Sequence, residues 1–532
     1  MIKESLMRKL VFIAFVLVLI AGVILSSCAK SEPAPTPAPA PAPSPAPAPS
    51  TPQPQSGGNL RILIGAGGTP HNVGFYPKQQ FADNTVVTIW AERILNLLPN
   101  GDFQPNIAEG YSMSPDLKTI TIPLRKDVKF QDGTPWNAAA AVWAFQKAKE
   151  AGTLAGGKRI DKIEATDDYT VKVTLNVPNN QVIYDLARVY MFSPTAFEKN
   201  GEEWAINHSV STGAFQVTDF QRDVVVKMKR FDGYWRKGLP YFDTVELITV
   251  KDSTTASAMM QAGQADIWIG AAAQEAADLK AMNFKINNAP TTYNTIYCDS
   301  TDPASPFANK KVREAIEYAM DRPAMAQALG FGFQVPVDQP THKGTAGFNP
   351  NYPVRAFNVA KAKQLMSEAG FGAGIKTKLL IMQGADNAGA IIQSNLAEIG
   401  INAEIDIADV GRFWGSINGG WQGLLLGPYA VNPEFCVAWL HHFGPEPLMK
   451  FASMAKSKEY LALCDKLVVA PDIPAMRKLT MDMVTQAGLD VMFIPLTLNL
   501  GASVYSANLH TGYYLDLDWT YWSIWDDWME KK

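Results

Sequence analysis

The sequence predicts an α/β protein built as two or three lobes, and three observations carry that reading. The body from Gly57 to Lys532 holds roughly 475 residues, too many for one hydrophobic core. Its first half is rich in short alternating segments bounded by turn residues, the pattern of strands. From about residue 305 helical and strand patterns alternate, the rhythm of βαβ units around a mainly parallel sheet.

Ahead of that body, Lys3, Arg8 and Lys9 precede an apolar stretch from Leu10 to Leu25. At about 16 residues it falls short of the roughly 20 that a membrane helix needs and suits the apolar region of an export signal. The run Leu25-Ser26-Ser27-Cys28 resembles the bacterial lipobox. That resemblance implies cleavage before Cys28 and lipidation of its thiol; an ordinary secretory signal or a retained anchor helix are the alternatives. Ser31 to Gln55 then alternates proline with alanine almost strictly. Proline fixes φ and lacks the amide donor, so this stretch is expected to be a polyproline II spacer reaching on the order of 70–80 Å.

Within the body, Asn59 to Ile64 reads as an opening strand, followed by a loop with glycine, proline and histidine through Pro77. Thr85 to Leu98 sets Val87, Ile89, Trp90, Ile94 and Leu97 or Leu98 at helical spacing, which predicts a helix. Lys118 to Val128 alternates as a strand does, and Asp132-Gly133 signals a turn. Asn137 is placed to cap the next helix, because its side-chain oxygen accepts a free first-turn amide. Trp143 on that helix is expected in the core. Tyr169 to Val177, Val224 to Met228 and Thr244 to Val250 continue the strands. Farther on, Asn309 caps a helix containing Val312, Ile316 and Ala319, and Asn358 starts another that Gly370 ends. Lys378 to Met382 is a strand, Ala388 to Ile399 a helix closed by Gly400, and Ile401 to Ile407 a strand.

Composition narrows the function. A charged fraction of 18% and a hydrophobic fraction of 47% suit a globular body rather than a disordered one. Net charge is −4, and about −6 once residues 1–27 are set aside; with no basic block, nucleic acid is not an expected partner. The 13 Trp, 17 Tyr and 25 Phe are plentiful; some belong to the core, and a surplus of Trp is also what a cleft for organic solutes would use. After Cys28 only Cys298, Cys436 and Cys464 remain, enough for one disulfide at most, and a Cys436–Cys464 pairing is left open. HExxH, GxSxG, CxxC and GxxxxGK[ST] are all absent. Gly65-Ala66-Gly67-Gly68-Thr69-Pro70 begins like a dinucleotide fingerprint but has Pro70 where the third glycine belongs. His441 and His442 are adjacent, and neighbouring side chains point apart, so they are not expected to share a metal. These absences move weight from catalysis to binding, with no cofactor and no metal expected.

Four segments, in order, resemble the peptide-class (family 5, cluster C) solute-binding proteins of bacterial ABC importers. They are Gly57-Gly58-Asn59-Leu60-Arg61; Gln104 to Tyr111, continued by Ser114-Pro115-Asp116 and Leu124 to Pro135; Ser211 to Phe215 with Arg230 to Trp235; and Val312 to Arg322. The resemblance implies a two-lobed periplasmic-binding-protein fold of type II with a small inserted third domain. By that analogy lobe I is 57–93, 208–288 and 505–532, the inserted domain 94–207 and lobe II 289–504. It further implies a monomer outside the cytoplasm, lipid-anchored through Cys28 after a signal of residues 1–27 and a tether of 28–56. Such a protein closes on a solute and delivers it to an ABC permease with its ATPase, without chemistry. A motif-free surface hydrolase and a solute-sensing receptor lipoprotein are the alternatives.

The analogy also suggests binding residues. Phe81 and Asp83 fall where family members reach the solute from lobe I, and Trp414, Trp421 and Tyr429 are stacking candidates from lobe II. Peptide-binding members carry an acidic residue in a segment that corresponds here to Gly423-Leu424-Leu425-Leu426-Gly427-Pro428-Tyr429-Ala430-Val431-Asn432-Pro433. This run has neither acid nor arginine, and Asn432 replaces a common second acid. A buried ammonium without a carboxylate is costly, so a neutral or aromatic-rich solute is expected over a free-amine peptide, with Asp83 the counter-argument.

Overall fold

The computed structural model describes residues 53–65, 70–79, 86–98, 101–430, 435–447, 449–512, 522 and 524–530, without the side chains of 435–438. The expectations for Cys28, most of the tether, Phe81, Asp83 and Asn432 lie outside these residues.

One large sheet organises the described body. Its strands run in the order Ile401–Ala408, Ile375–Met382, Leu424–Ala430, Lys285–Cys298, Phe493–Tyr505, Ile267–Ala271, Asn59–Ile64, Thr244–Thr249, Val225–Arg230 and Phe215–Gln221, and Gln334–Pro336 pairs with Phe493–Tyr505. Ile375–Met382 is parallel to both its neighbours, and so is Asn59–Ile64, as the βαβ rhythm requires. The other pairings are antiparallel.

The centre of the sheet is the pair Lys285–Cys298 and Phe493–Tyr505, the longest strands present, matched from Lys285↔Tyr505 to Tyr297↔Phe493. One end of this ladder adjoins Ile267–Ala271 and the other adjoins Leu424–Ala430. Between them the register shifts twice, at Pro290/Thr292 and at Asn294/Thr295. Pro290 and Pro495 have no amide to give, so a regular ladder cannot pass through either position. Side chains fill the gap: Asn294 Nδ2 donates to Thr497 Oγ1 (3.0 Å) and Asn499 Oδ1 (3.1 Å), and Asn499 Nδ2 donates to Thr292 Oγ1 (2.8 Å).

A separate four-stranded sheet, Ser112–Met113, Thr119–Pro123, Thr170–Leu175 and Ile160–Asp167, lies against the helix Ala138–Glu150. Asn137 caps that helix by accepting from Ala140 N. Trp143 is half-buried, and stacks edge-on to Phe197 at 5.2 Å. Asn309 and Asn358 cap their helices as expected, with Gly370 and Gly400 at positive φ after the helix ends.

The helix expected over 85–98 is absent among its described residues. Val86 and Val87 make one short helical turn, and Leu95–Leu97 is a strand paired with Phe103–Pro105. The apolar spacing has another cause: Val86, Val87, Ile89 and Trp90 enter one core, and Ile94, Leu95 and Leu97 enter a second. The segment crosses between two hydrophobic bodies rather than laying one face on one. Among the described side chains Cys298 and Cys464 are free, buried thiols, and the side chain of Cys436 lies outside them.

The sequence motifs prove to be joints. Arg313, buried on the helix Lys310–Ala319, donates to the carbonyls of Phe307, Ala308, Asp490 and Val491 at 2.7–3.1 Å. Gln131 Nε2 donates to Gly213 O (3.0 Å) and Phe215 O (2.7 Å), and its Oε1 accepts from Ser211 N (3.1 Å). Gly213 itself admits no side chain, since a Cβ there would sit 2.3 Å from the Trp90 carbonyl oxygen. We expect Gly213→Ala to destabilise the protein by about 1–3 kcal/mol, read as a lowered midpoint in denaturant unfolding. An unchanged midpoint would mean that the Trp90 and Ser211–Phe215 segments are not held against one another.

Candidate functional site

Four parts of the chain converge on one group of charged and aromatic side chains. The loop after the first strand supplies Tyr76, placed by Asn72, whose side chain accepts from Gly74 N and Phe75 N and donates to Phe75 O. The crossing segment supplies Arg93, whose guanidinium donates to Tyr190 Oη (2.5 Å) with its carbon 4.3 Å from that ring's centre. Tyr76 and Tyr190 lie 6.3 Å apart. The short helix Val182–Leu186, with Asn179 Oδ1 accepting from Gln181 N and Val182 N, presents Asp185 and then Arg188. From the far side the helix Phe435–Phe443 brings His441, with Nε2 3.6 Å from Asp185 Oδ1.

Burial pushes the Asp185 carboxyl up to about 6, against the pull of Arg188, and the same enclosure with Arg188 beside it lowers His441 to about 3. At neutral pH the group therefore holds two guanidiniums, one carboxylate, a neutral imidazole and two phenols. A guanidinium presents paired donors whose geometry matches a carboxylate. A cavity of about 80 Å³ lies beside Asp185 and His441, and a larger one of about 1050 Å³ shares Arg159 and Glu446 with it. Lys149, Lys158, Lys450 and Lys456 also line the larger cavity.

Of the residues suggested by sequence, the three that are described, Trp414, Trp421 and Tyr429, lie apart from this group. Tyr429 is buried, stacked on Tyr293 at 4.6 Å, with its hydroxyl donating to Pro340 O. Trp421 is buried at the opposite end of the same strand, its amide held by Ser453 Oγ (2.8 Å), and it lines a cavity of about 430 Å³ with Asp299, Lys378 and Arg412. Both belong to one aromatic layer, linked through Tyr297 and Phe443. Trp414 is half-buried on the helix Val410–Gly419, edge-on to Phe413 at 5.4 Å. Tyr76, Arg93, Asp185, Arg188, Tyr190 and His441 were not suggested by sequence. Their signal was faint: Asp185 and Arg188 interrupt the otherwise apolar run Val182 to Phe192, where an ionised pair must find partners.

Beside Arg93, Glu92 is buried with its carboxylate accepting from Tyr234 Oη (2.9 Å) and Trp235 Nε1 (3.2 Å). Burial outweighs these bonds and raises it to about 7. The folded state thus prefers the protonated acid: its contribution is full below the unfolded value near 4.5 and is lost as pH rises through about 7. We expect Glu92→Gln to gain stability relative to the parent by up to about 3 kcal/mol between pH 5 and pH 8. Parallel pH–stability curves for the two proteins would contradict this.

A sheet whose two ends are joined through one central strand pair, with a smaller sheet-and-helix body beside it, is the architecture of the type II periplasmic binding proteins. The structure of HbpA2 from Haemophilus parasuis superposes with a TM-score of 0.78 at 20% identity, covering 89% of this chain and 100% of that one. The oligopeptide-binding protein AppA from Bacillus subtilis, in complex with a nonapeptide, gives 0.71 at 19%, covering 90% and 100%. Residues 102–435 match the model for bacterial extracellular solute-binding proteins, family 5. The glutathione-binding protein GsiB of Shigella dysenteriae is 31% identical over 436 residues, 77% of this chain and 83% of that relative. The chain belongs to family 5 of the bacterial extracellular solute-binding proteins. Its work is that of the family, capture of a solute for an ABC importer, and its relatives are binding proteins rather than enzymes.

Proposed function

We propose that the captured solute is a small peptide-derived molecule with more carboxylates than ammonium groups, of which glutathione is the natural first probe. The observation that carries this reading is the gathering of Arg93 and Arg188 with Tyr76 and Tyr190 where four parts of the chain meet. The acid and arginine missing from the Gly423–Pro433 run have counterparts here in Asp185 and the two arginines. Similarity to glutathione-binding relatives supports the same class. In this reading 57–93, 208–288 and 505–532 form lobe I, 94–207 the inserted domain and 289–504 lobe II. Phe81, Asp83 and Asn432 are kept as candidate solute contacts in this reading, while Trp414, Trp421 and Tyr429 serve as packing apart from the charged group. The monomer closes on the solute because only the closed state contacts it from both sides. Lipid on Cys28 and the proline-rich tether keep it beside its permease outside the cytoplasm.

Thermal unfolding with glutathione, alanyl peptides and esterified peptides tests the solute class. Glutathione at 100 times its dissociation constant should add about 2.7 kcal/mol, and Arg93→Gln or Arg188→Gln should weaken binding at least about tenfold. Stabilisation by the esterified peptides alone would refute an anionic solute. For the anchor, Cys28→Ser should move the protein from the membrane fraction to the soluble one; unchanged fractionation would argue for a retained helix instead.

A further inference from the structure

Asn179 and Asn180 sit side by side and do different work. Asn179 is tied to its own body: its amide donates to Leu117 O (3.0 Å), and its side chain caps the helix Val182–Leu186. Asn180 reaches outward. Its Nδ2 donates to Leu467 O (3.1 Å) and Ala470 O (2.7 Å), and its backbone amide donates to Val468 O (3.0 Å). Those three carbonyls lie at and just beyond the C-terminal end of the helix Lys458–Leu467. A helix end leaves such carbonyls without intrahelical donors, and here a residue nearly 290 positions earlier in the chain supplies them. Asn180 is 7% exposed, so these bonds form where water is excluded. At the rim, Arg477 meets Asp102 at 3.0 Å and Arg159 meets Glu446 at 3.5 Å.

The body carrying Asn180 is joined elsewhere to the first strand's side of the molecule. Val73 N donates to Ile206 O (3.0 Å), Gln131 holds Ser211, Gly213 and Phe215, and Phe75 stacks on Phe197 at 4.7 Å. The helix Lys458–Leu467 belongs to the other side, connected through the central strand pair. An opening rotation about that pair, with the two sides moving apart, would separate Asn180 from its three carbonyls.

We propose that Asn180 is a latch: a positioning residue that touches no solute and sets the affinity by stabilising the closed arrangement. This rests on the reading of the protein as a solute-capturing, closing pair of lobes. A solute that binds only the closed state has an apparent affinity reduced by the fraction of molecules that are closed. Loss of the latch therefore lowers closure and affinity by one common factor.

The test compares full-length parent protein with Asn180→Ala and Asn180→Asp, the latter turning a donor into an acceptor facing carbonyls. Dyes introduced through unnatural amino acids at the exposed positions Glu198 and Glu404 report closure by single-molecule energy transfer without solute. Glutathione binding is measured by calorimetry. We expect the closed-to-open ratio to fall about 3- to 30-fold in Asn180→Ala and further in Asn180→Asp, with dissociation constants rising in step when the closed form is the minor one. Should Asn180→Ala fail to fold, Arg477→Ala at the rim should shift closure in the same direction by a smaller factor. An unchanged transfer distribution overturns the latch, and so does altered closure without the corresponding change in affinity. If the parent fails to bind glutathione, the proposed solute falls, and the transfer measurement still decides the latch.

Discussion

Between Lys285 and Cys298 the backbone runs antiparallel to Phe493–Tyr505, and both ends of the large sheet hang on that one ladder. Neither strand can pair regularly through its middle, because Pro290 and Pro495 withhold amides and each strand carries an unmatched residue near the crossing. The leftover groups are met individually. Leu496 O accepts from Val337 N (3.2 Å), Pro495 O accepts from Arg322 Nε (2.7 Å), and Thr291 Oγ1 donates to Asn499 O (3.2 Å). The crossing is thus locally irregular, with side chains and a third strand meeting groups that the ladder leaves over.

Away from the crossing, the molecule is held by buried polar side chains that reach between segments distant in sequence. Arg313, Gln131 and Glu92 each bind groups that no local element would satisfy. Leaving a buried donor or acceptor unmet costs about 1–3 kcal/mol, so each such residue fixes a joint more sharply than an apolar contact of the same size. Apolar cores tolerate sliding; a guanidinium aimed at four carbonyls does not.

This division explains what could be read in advance. The capped helices after Asn137, Asn309 and Asn358 were legible because their cap signals are local. So were the strands whose alternation survives in one segment, and the family motifs, which mark joints rather than solute contacts. The helix predicted around Trp90 failed because burial on two different cores mimics the spacing of one helical face. The long central strands escaped notice because Thr292, Asn294, Thr497 and Asn499 interrupt their hydrophobic pattern for the sake of the crossing. The charged group at the junction was harder still: Tyr76, Arg93, Asp185 and His441 meet only in three dimensions.

The basic cavity beside that junction has a consequence for rates. The body as a whole carries excess negative charge, yet Lys149, Lys158, Arg159, Lys450 and Lys456 gather around one opening with Glu446 as their acidic neighbour. Low-dielectric walls concentrate such a field at the mouth of a cleft, while the surrounding surface repels anions. An anionic molecule near this opening meets more positive side chains than negative ones. Encounter then depends on ionic strength more steeply than residence does, since charges at an open mouth are screened over roughly 8–10 Å and enclosed ones much less. For an anionic solute that enters there, dilute surroundings would quicken capture while barely altering how long it stays.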